Sequence, residues 1–297
     1  MDSSTRNLLI AVQFCFGVFP VLGKQAMEVF EPRAVLVWRL LVGSAVLAFV
    51  AWRMHPRRFW LPRRDLTVVF ALSLLGITIN QLLFLEGLTR STATNAGLLM
   101  TVIPVATVAL GLMFRQERAT WRRLAGIALS VGGVAWLFLG RGAELSSATR
   151  TGDLLMTANA ISYSGYLVAA RSVLKRLPQI VVLAWMFLFG ALIVPWFSLS
   201  IDWAPSAAEP IHWWALVGIL LFPTVLAYIG NIVVLARAGA AVTAAYVMLQ
   251  PFLAAGLGIG LLGEPAEAAL IPAAIGVLGG LWLVSGAKRR KETPAAP

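Results

Sequence analysis

The sequence predicts an all-α integral membrane protein of ten transmembrane helices, arranged as two inverted five-helix repeats around a central cavity. Three observations carry that expectation. First, 59% of the 297 residues are hydrophobic and only 12% are charged, with a mean hydropathy of +0.83. A soluble domain is about a quarter charged and under half apolar, so a chain this poor in charge has lipid as its main solvent. Second, the apolar residues fall into ten runs, each near the ~20 residues a helix needs to cross ~30 Å of hydrocarbon. Third, the chain matches itself when slid by 147 residues, with the spans in the same order.

The runs cover about 7–28, 33–52, 66–88, 93–114, 122–140, 152–173, 179–200, 212–236, 241–262 and 267–286. The start before the first is too short, and the run itself too long, for an ordinary cleaved signal peptide, so the first span is expected to be retained. It aligns Gln13, Gly17 and Pro20 at i, i+4 and i+7, one helical face. The second holds Arg39, the one cation inside a span. The third carries Ser73, Asn80 and Phe84, with Glu86 near its end at a depth comparable to that of Arg39. The fourth contributes Thr101 and Pro104, and the fifth a Gly132-Gly133 pair suited to close helix packing. Asn159, Tyr163 and Tyr166 align in the sixth. The seventh resembles the second without its arginine. Pro223 and Asn231 stand in the eighth, Thr243, Tyr246 and Gln250 precede Pro251 in the ninth, and Gly279-Gly280 fall in the tenth.

Polar side chains are costly in lipid and should face the bundle interior. Gln13, Gly17, Asn80, Phe84, Thr101, Asn159, Tyr163, Tyr166, Asn231, Tyr246 and Gln250 therefore describe a cavity with neutral hydrogen-bonding groups and aromatic walls. A proline inside a helix removes a backbone hydrogen bond and bends it. Pro104 and Pro251 stand at equivalent depths, and Pro20 and Pro223 break two further spans, so these four are the expected kinks and gating points. Arg39 is expected to contact Glu86 or helix-end carbonyls. It would act as an external gate or an anchor for a substrate carboxylate, or else snorkel to the interface.

Composition closes several alternatives. Disorder needs few apolar residues and many charges. The single cysteine, Cys15, excludes disulfide frameworks and cysteine-ligated metal, and two histidines, His55 and His212, allow no His-rich centre. No cofactor and no metal are expected, and a lipid-embedded enzyme lacks its acid/base cluster. The net charge of +11 does not indicate nucleic-acid binding, because the basic residues sit in short tufts between apolar runs. Of those residues, eighteen fall on one side of the ten-span arrangement and five on the other. The basic side is the cytoplasmic one, which puts both termini inside the cell.

The internal match sets Trp38 on Trp185, Gly43 on Gly190, Pro104 on Pro251, Glu117 on Glu264 and Gly132-Gly133 on Gly279-Gly280. Five spans per copy is odd, so the second copy enters the membrane upside down. The basic corner from Arg115 to Arg123 accordingly matches a corner, 263–270, without positive charge. The expected division is a first repeat over 1–143, a second over 144–287 and a basic cytoplasmic tail over 288–297. Inverted repeats are a recurrent architecture of secondary transporters, with the substrate near the midplane between them.

These residues resemble the EamA type of the drug/metabolite transporter superfamily. The resemblance is carried by Trp38-Arg39-Leu40-Leu41, by Thr92 to Gly97 leading to Pro104, by Glu117, Gly126 and Gly132-Gly133, and by Gln250-Pro251, Gly263-Glu264 and Gly276. The second copy departs from it at Met186, which stands where the first has arginine, and at Ala241-Val242-Thr243. Within the family the chain is most similar to the YddG-type (aromatic) amino-acid exporters. The resemblance implies a cavity lined mainly by spans 1, 3, 4, 6, 8 and 9. It also implies a secondary transporter that exports small metabolites, amino acids including aromatic ones, by alternating access. The alternatives are a broad-specificity drug or cation efflux carrier and a passive metabolite channel. The expected partners are a small-molecule substrate and the lipid bilayer, for a monomer in the cell (inner) membrane.

Overall fold

The computed structural model describes residues 2–91, 99–100, 102–116, 120–140, 149–250, 252–253, 256–257, 260 and 270–286. Thr101, Pro251 and the corners at Glu117 and Glu264 lie outside the described residues. All regular secondary structure among those described is helical. In chain order the α-helices are α1 (Ser3–Gly17), α2 (Phe19–Ala26), α3 (Pro32–Met54), α4 (Arg63–Ser73), α5 (Ile79–Thr89), α6 (Val102–Met113) and α7 (Trp121–Gly140). They continue with α8 (Arg150–Leu174), α9 (Gln179–Ile193), α10 (Pro210–Ile219), α11 (Ala227–Ala238), α12 (Ala240–Tyr246) and α13 (Leu270–Gly286). Among the described residues, five continuous helical runs are long and apolar enough to cross a membrane: Ser3–Gly23, Pro32–Met54, Arg63–Phe84, Gln179–Ser198 and Pro210–Ala238. Val102–Met113, Ala240–Leu249 and Ile271–Val284 are apolar but shorter.

Local chemistry accounts for the ends. The Asp2 carboxylate caps α1 by accepting from the Thr5 amide at 3.1 Å. Pro32 and Pro210 open α3 and α10, where a missing N–H costs nothing. Gly239, at φ 87°, ends α11 in a conformation that L side chains resist. The first span runs helical from Ser3 to Gly23. α1 ends at Gly17, and α2 restarts at Phe19 with Pro20 in its first positions. Only Val18 separates them, itself in helical conformation with its N–H on the Phe14 carbonyl, so Pro20 stands at a break inside one helical run. Pro104 lies buried in α6.

Two spans carry a π-helical segment, Leu74–Thr78 between α4 and α5 and Leu220–Leu226 between α10 and α11. Shifting the first by 147 residues lands it inside the second. Pro223 supplies the cause in the second copy. Its ring has no N–H and would clash with the carbonyl four residues back, and a widened turn relieves the clash. The Ile219 carbonyl is then satisfied by the Thr224 hydroxyl, which donates to it at 2.8 Å.

Contacts between the halves repeat themselves under the same shift. A Cβ on Gly43 would lie 2.7 Å from the Phe187 ring, and one on Gly190 would lie 2.9 Å from Leu40. Gly190 and Phe187 are the counterparts of Gly43 and Leu40. The α7–α13 crossing behaves alike: a Cβ on Gly126 would meet the Gly280 carbonyl at 2.6 Å, and one on Gly133 the Ala273 carbonyl at 2.8 Å. Of the two glycine pairs, Gly133 and Gly280 lie in the crossing, whereas Gly132 faces open space. The equivalent indoles of Trp38 and Trp185 donate to loop carbonyls, at Trp203 and Phe59, each at 2.8 Å.

Ion pairs gather at the bundle's two ends. Arg176 meets Asp65 at 3.1 Å, and Arg171 donates to the Gln116 carbonyl at 3.0 Å, in the segments expected on the basic side. In segments expected on the other side, Glu86 takes both Arg33 and Arg90, and Asp153 accepts from Ser91 and Thr149.

Candidate functional site

A cavity of about 140 Å³ lies between the two halves. That is well above the ~10–15 Å³ that admits one water. Each half contributes polar groups: Gln13, Arg39, Asn80 and Gln81 from the first, and Asn159, Tyr163, Tyr228 and Gln250 from the second. Phe16, Phe19 and Phe84 supply apolar wall, together with Met100, Ile103 and Val247.

Two reciprocal contacts tie the halves together across the cavity. The Asn80 amide donates to the Asn159 carbonyl at 3.1 Å, and the Asn159 amide returns a bond to the Asn80 carbonyl at 2.7 Å. Each side chain thereby occupies a backbone acceptor on the facing helix, so α5 and α8 are clipped at one level. The Gln250 side chain donates to that of Gln13 at 2.8 Å, joining the start of the chain to the ninth span. Gln81 donates to the Tyr228 hydroxyl at 3.1 Å, and these two residues are 147 apart, repeat counterparts in direct contact. The Tyr228 ring is held edge-on by Phe16 and Phe187, at centroid distances of 5.7 and 5.0 Å.

Arg39 is 7% exposed and lies in the wall where α3 meets the second π segment. Its Nε donates to the Thr224 hydroxyl at 2.9 Å, Nη1 to the Gln81 side-chain oxygen at 3.4 Å and Nη2 to the Pro223 carbonyl at 3.5 Å. Phe19 covers the guanidinium, its ring centroid 5.0 Å away. The π segment builds this arrangement, since Pro223 forces the wide turn and so supplies both a carbonyl and the Thr224 hydroxyl. The one backbone carbonyl that Arg39 meets, that of Pro223, lies inside the helical run Pro210–Ala238 and not at a helix end. Glu86 turns instead to Arg33 and Arg90. Arg39 is buried against these groups, with its charge inside the bundle.

The structure brings Gln13, Asn80, Phe84, Asn159, Tyr163, Gln250 and Pro223 to the cavity beside Arg39. Other expected residues stand elsewhere. Asn231 lies behind the wall and donates to the Tyr163 hydroxyl at 3.0 Å, so it positions a lining residue. Tyr166 is 2% exposed and packs on Gly76, where a Cβ would come within 2.6 Å of the ring. Tyr246 belongs to a second apolar core with Leu9, Met248 and Val284. Gly17 is buried at the end of α1, and Ser73 donates to the Met186 carbonyl at 2.6 Å. Gln81 and Tyr228 were not expected at the cavity. The repeat offset pairs them, and their 147-residue spacing was the signal available.

The chain belongs to the EamA-like transporter family: the family model matches twice, over residues 7–139 and 150–286. It is therefore a membrane transporter of the drug/metabolite superfamily. It is 26% identical over 303 residues to a protein of Streptantibioticus cattleyicolor named a probable terminal-alkyne amino-acid exporter, spanning 99% of this chain and 98% of that one. An uncharacterized transporter of Archaeoglobus fulgidus is also 26% identical, across 96% of this chain and 98% of its own length. A solved crystal structure superposes with a TM-score of 0.82, covering 98% of this chain and all of that one at 19% identity, which shows the shared fold.

Proposed function

We propose that the protein is a ten-span secondary transporter that exports amino acids, aromatic ones included, by alternating access through this cavity, from a cell membrane with both termini cytoplasmic. One observation carries the reading: a cavity with polar groups from both repeat-related halves, whose contacts return on themselves under the 147-residue shift. A two-fold relation of that kind lets one set of contacts open while its counterpart closes, which is the mechanical requirement of a carrier. The two halves carry π segments at equivalent positions, and the second contributes Pro223 to the cavity wall. The amino-acid assignment is supported by the aromatic walls, by the neutral amides and by the printed name of the Streptantibioticus relative.

The test is uptake of labelled amino acids by purified protein in liposomes, with and without a pH gradient. Faster flux than in empty vesicles and acceleration by unlabelled substrate on the far side are expected; a channel would give no such exchange. Flux equal to empty vesicles across the whole panel would end the amino-acid assignment. Inversion has its own test. In a Cys15-free background, cysteines at the exposed counterparts Arg57 and Ala204 should label from opposite faces.

A further inference from the structure

Among the described residues lining the cavity, Arg39 is the only one with a formal charge. We propose that its guanidinium anchors the carboxylate of the transported molecule, so that the protein selects carboxylates, amino acids among them, and rejects cations of the same body. The inference deepens the proposed function and rests on the cavity being the transport site.

The first argument is the missing counter-ion. A buried charge needs compensation, yet no described carboxylate pairs with Arg39. The acid at comparable depth, Glu86, is held by Arg33 and Arg90. A guanidinium has five N–H donors. Three have partners, all neutral, and two of those bonds are stretched to 3.4 and 3.5 Å, beyond the ordinary range of about 2.7–3.2 Å. Both stretched bonds are on the terminal Nη atoms, the edge that receives a carboxylate bidentately at about 2.7–2.9 Å.

The second argument comes from the repeat. The counterpart of Arg39 in the second half is Met186, 1% exposed and packed in the apolar core. The same structural corner is therefore stable with an apolar side chain of similar length. The architecture does not demand a cation there, and the asymmetry between the copies is chemical. It falls where α3 borders the cavity.

The third argument is the remaining wall. Phe16, Phe19, Phe84, Tyr163 and Tyr228 suit an apolar or aromatic body, and the amides of Gln13, Asn80 and Asn159 are neutral. A cationic ligand would meet one like charge and no opposite one. A zwitterion gains the charge-assisted pair at its carboxylate, while its ammonium meets only neutral oxygens and ring faces.

Two compounds with one aromatic body and different ends separate the alternatives: 3-phenylpropionate and phenethylamine. Each is titrated into the purified full-length protein in detergent while the unfolding temperature is read. The carboxylate should raise it saturably and the amine should leave it unchanged. Arg39→Met, which copies the residue of the second repeat, should keep the helical circular dichroism and weaken carboxylate binding about ten- to hundredfold. Arg39→Lys should fall between, because a point charge replaces the fork. Equal stabilisation by both compounds, no shift with either, or undiminished carboxylate binding by Arg39→Met overturns the proposal. Should Arg39→Met fail to fold, the two-ligand comparison on the unaltered protein decides alone. Carboxylate-selective binding by a protein that moves no amino acid would overturn the amino-acid reading and keep the anchor. Amino-acid transport that phenethylamine inhibits as well as phenylpropionate does would have the opposite consequence.

Discussion

The α7–α13 crossing makes a quantitative demand on a single methyl group. In Gly280→Ala the added Cβ would stand 2.1 Å from the Ser130 hydroxyl oxygen and 2.3 Å from the Gly126 carbonyl oxygen. Ser130 can rotate; the carbonyl cannot. A carbon–oxygen contact needs about 3.3 Å, so the helices must part by roughly 1 Å. A gap of ~0.5–1 Å forfeits a quarter to a half of each dispersion well, and some tens of contacts at ~0.1–0.2 kcal/mol each are at stake. The expected loss is about 1–3 kcal/mol, in line with overpacking of other interiors. It is offset by up to ~1 kcal/mol, because alanine is the better helix former. Gly132→Ala is the internal control. Its Cβ meets nothing within 4 Å, so only the propensity gain remains and the protein should be unchanged or slightly more stable. Reversible unfolding in mixed micelles measures both. If the two variants lose the same stability, or Gly280→Ala loses none, the close approach of α7 and α13 is wrong.

Three further expectations follow from other parts of the bundle. Asn159→Ala removes the donor to the Asn80 carbonyl and leaves that acceptor in a cavity wall, so it should cost about 1–2 kcal/mol of unfolding stability and depress liposome flux. Gly76→Ala must displace the fully buried Tyr166 ring and should cost about 1–3 kcal/mol, with a changed near-ultraviolet dichroism. The Asp2 carboxyl is held below the usual carboxylate range by hydrogen bonds from the Thr5 side chain and from the Thr5 amide. A depressed pKa means that its contribution to the α1 cap is present above the unfolded-state value and is lost as pH falls through the folded one. Carbon NMR titration of that carboxyl should show the lowered midpoint, and Thr5→Pro, which deletes both the hydroxyl and the donor amide, should raise it.

What was legible in the sequence is what one dimension can record. A helix must cross a layer of known thickness, so apolar run length pointed to an all-helical membrane protein, and five of the runs recur as helices long enough to span among the described residues. A duplicated gene leaves its offset, so the 147-residue register anticipated which elements would be counterparts, including glycines 133 and 280 in the one crossing. Azimuth was harder. Between apolar helices in lipid there is no polar-against-apolar contrast to say which face turns inward, and each π segment inserts a residue that rotates everything beyond it. Hence Tyr166 and Tyr246, read as cavity wall, pack into cores, while Gln81 and Tyr228, not singled out, meet across the cavity. The partner of Arg39 was likewise a tertiary matter. Its depth in the span suggested Glu86, but the guanidinium goes to Thr224 and the Pro223 carbonyl, groups that are available only because the chain widens its helix at a proline 184 residues away.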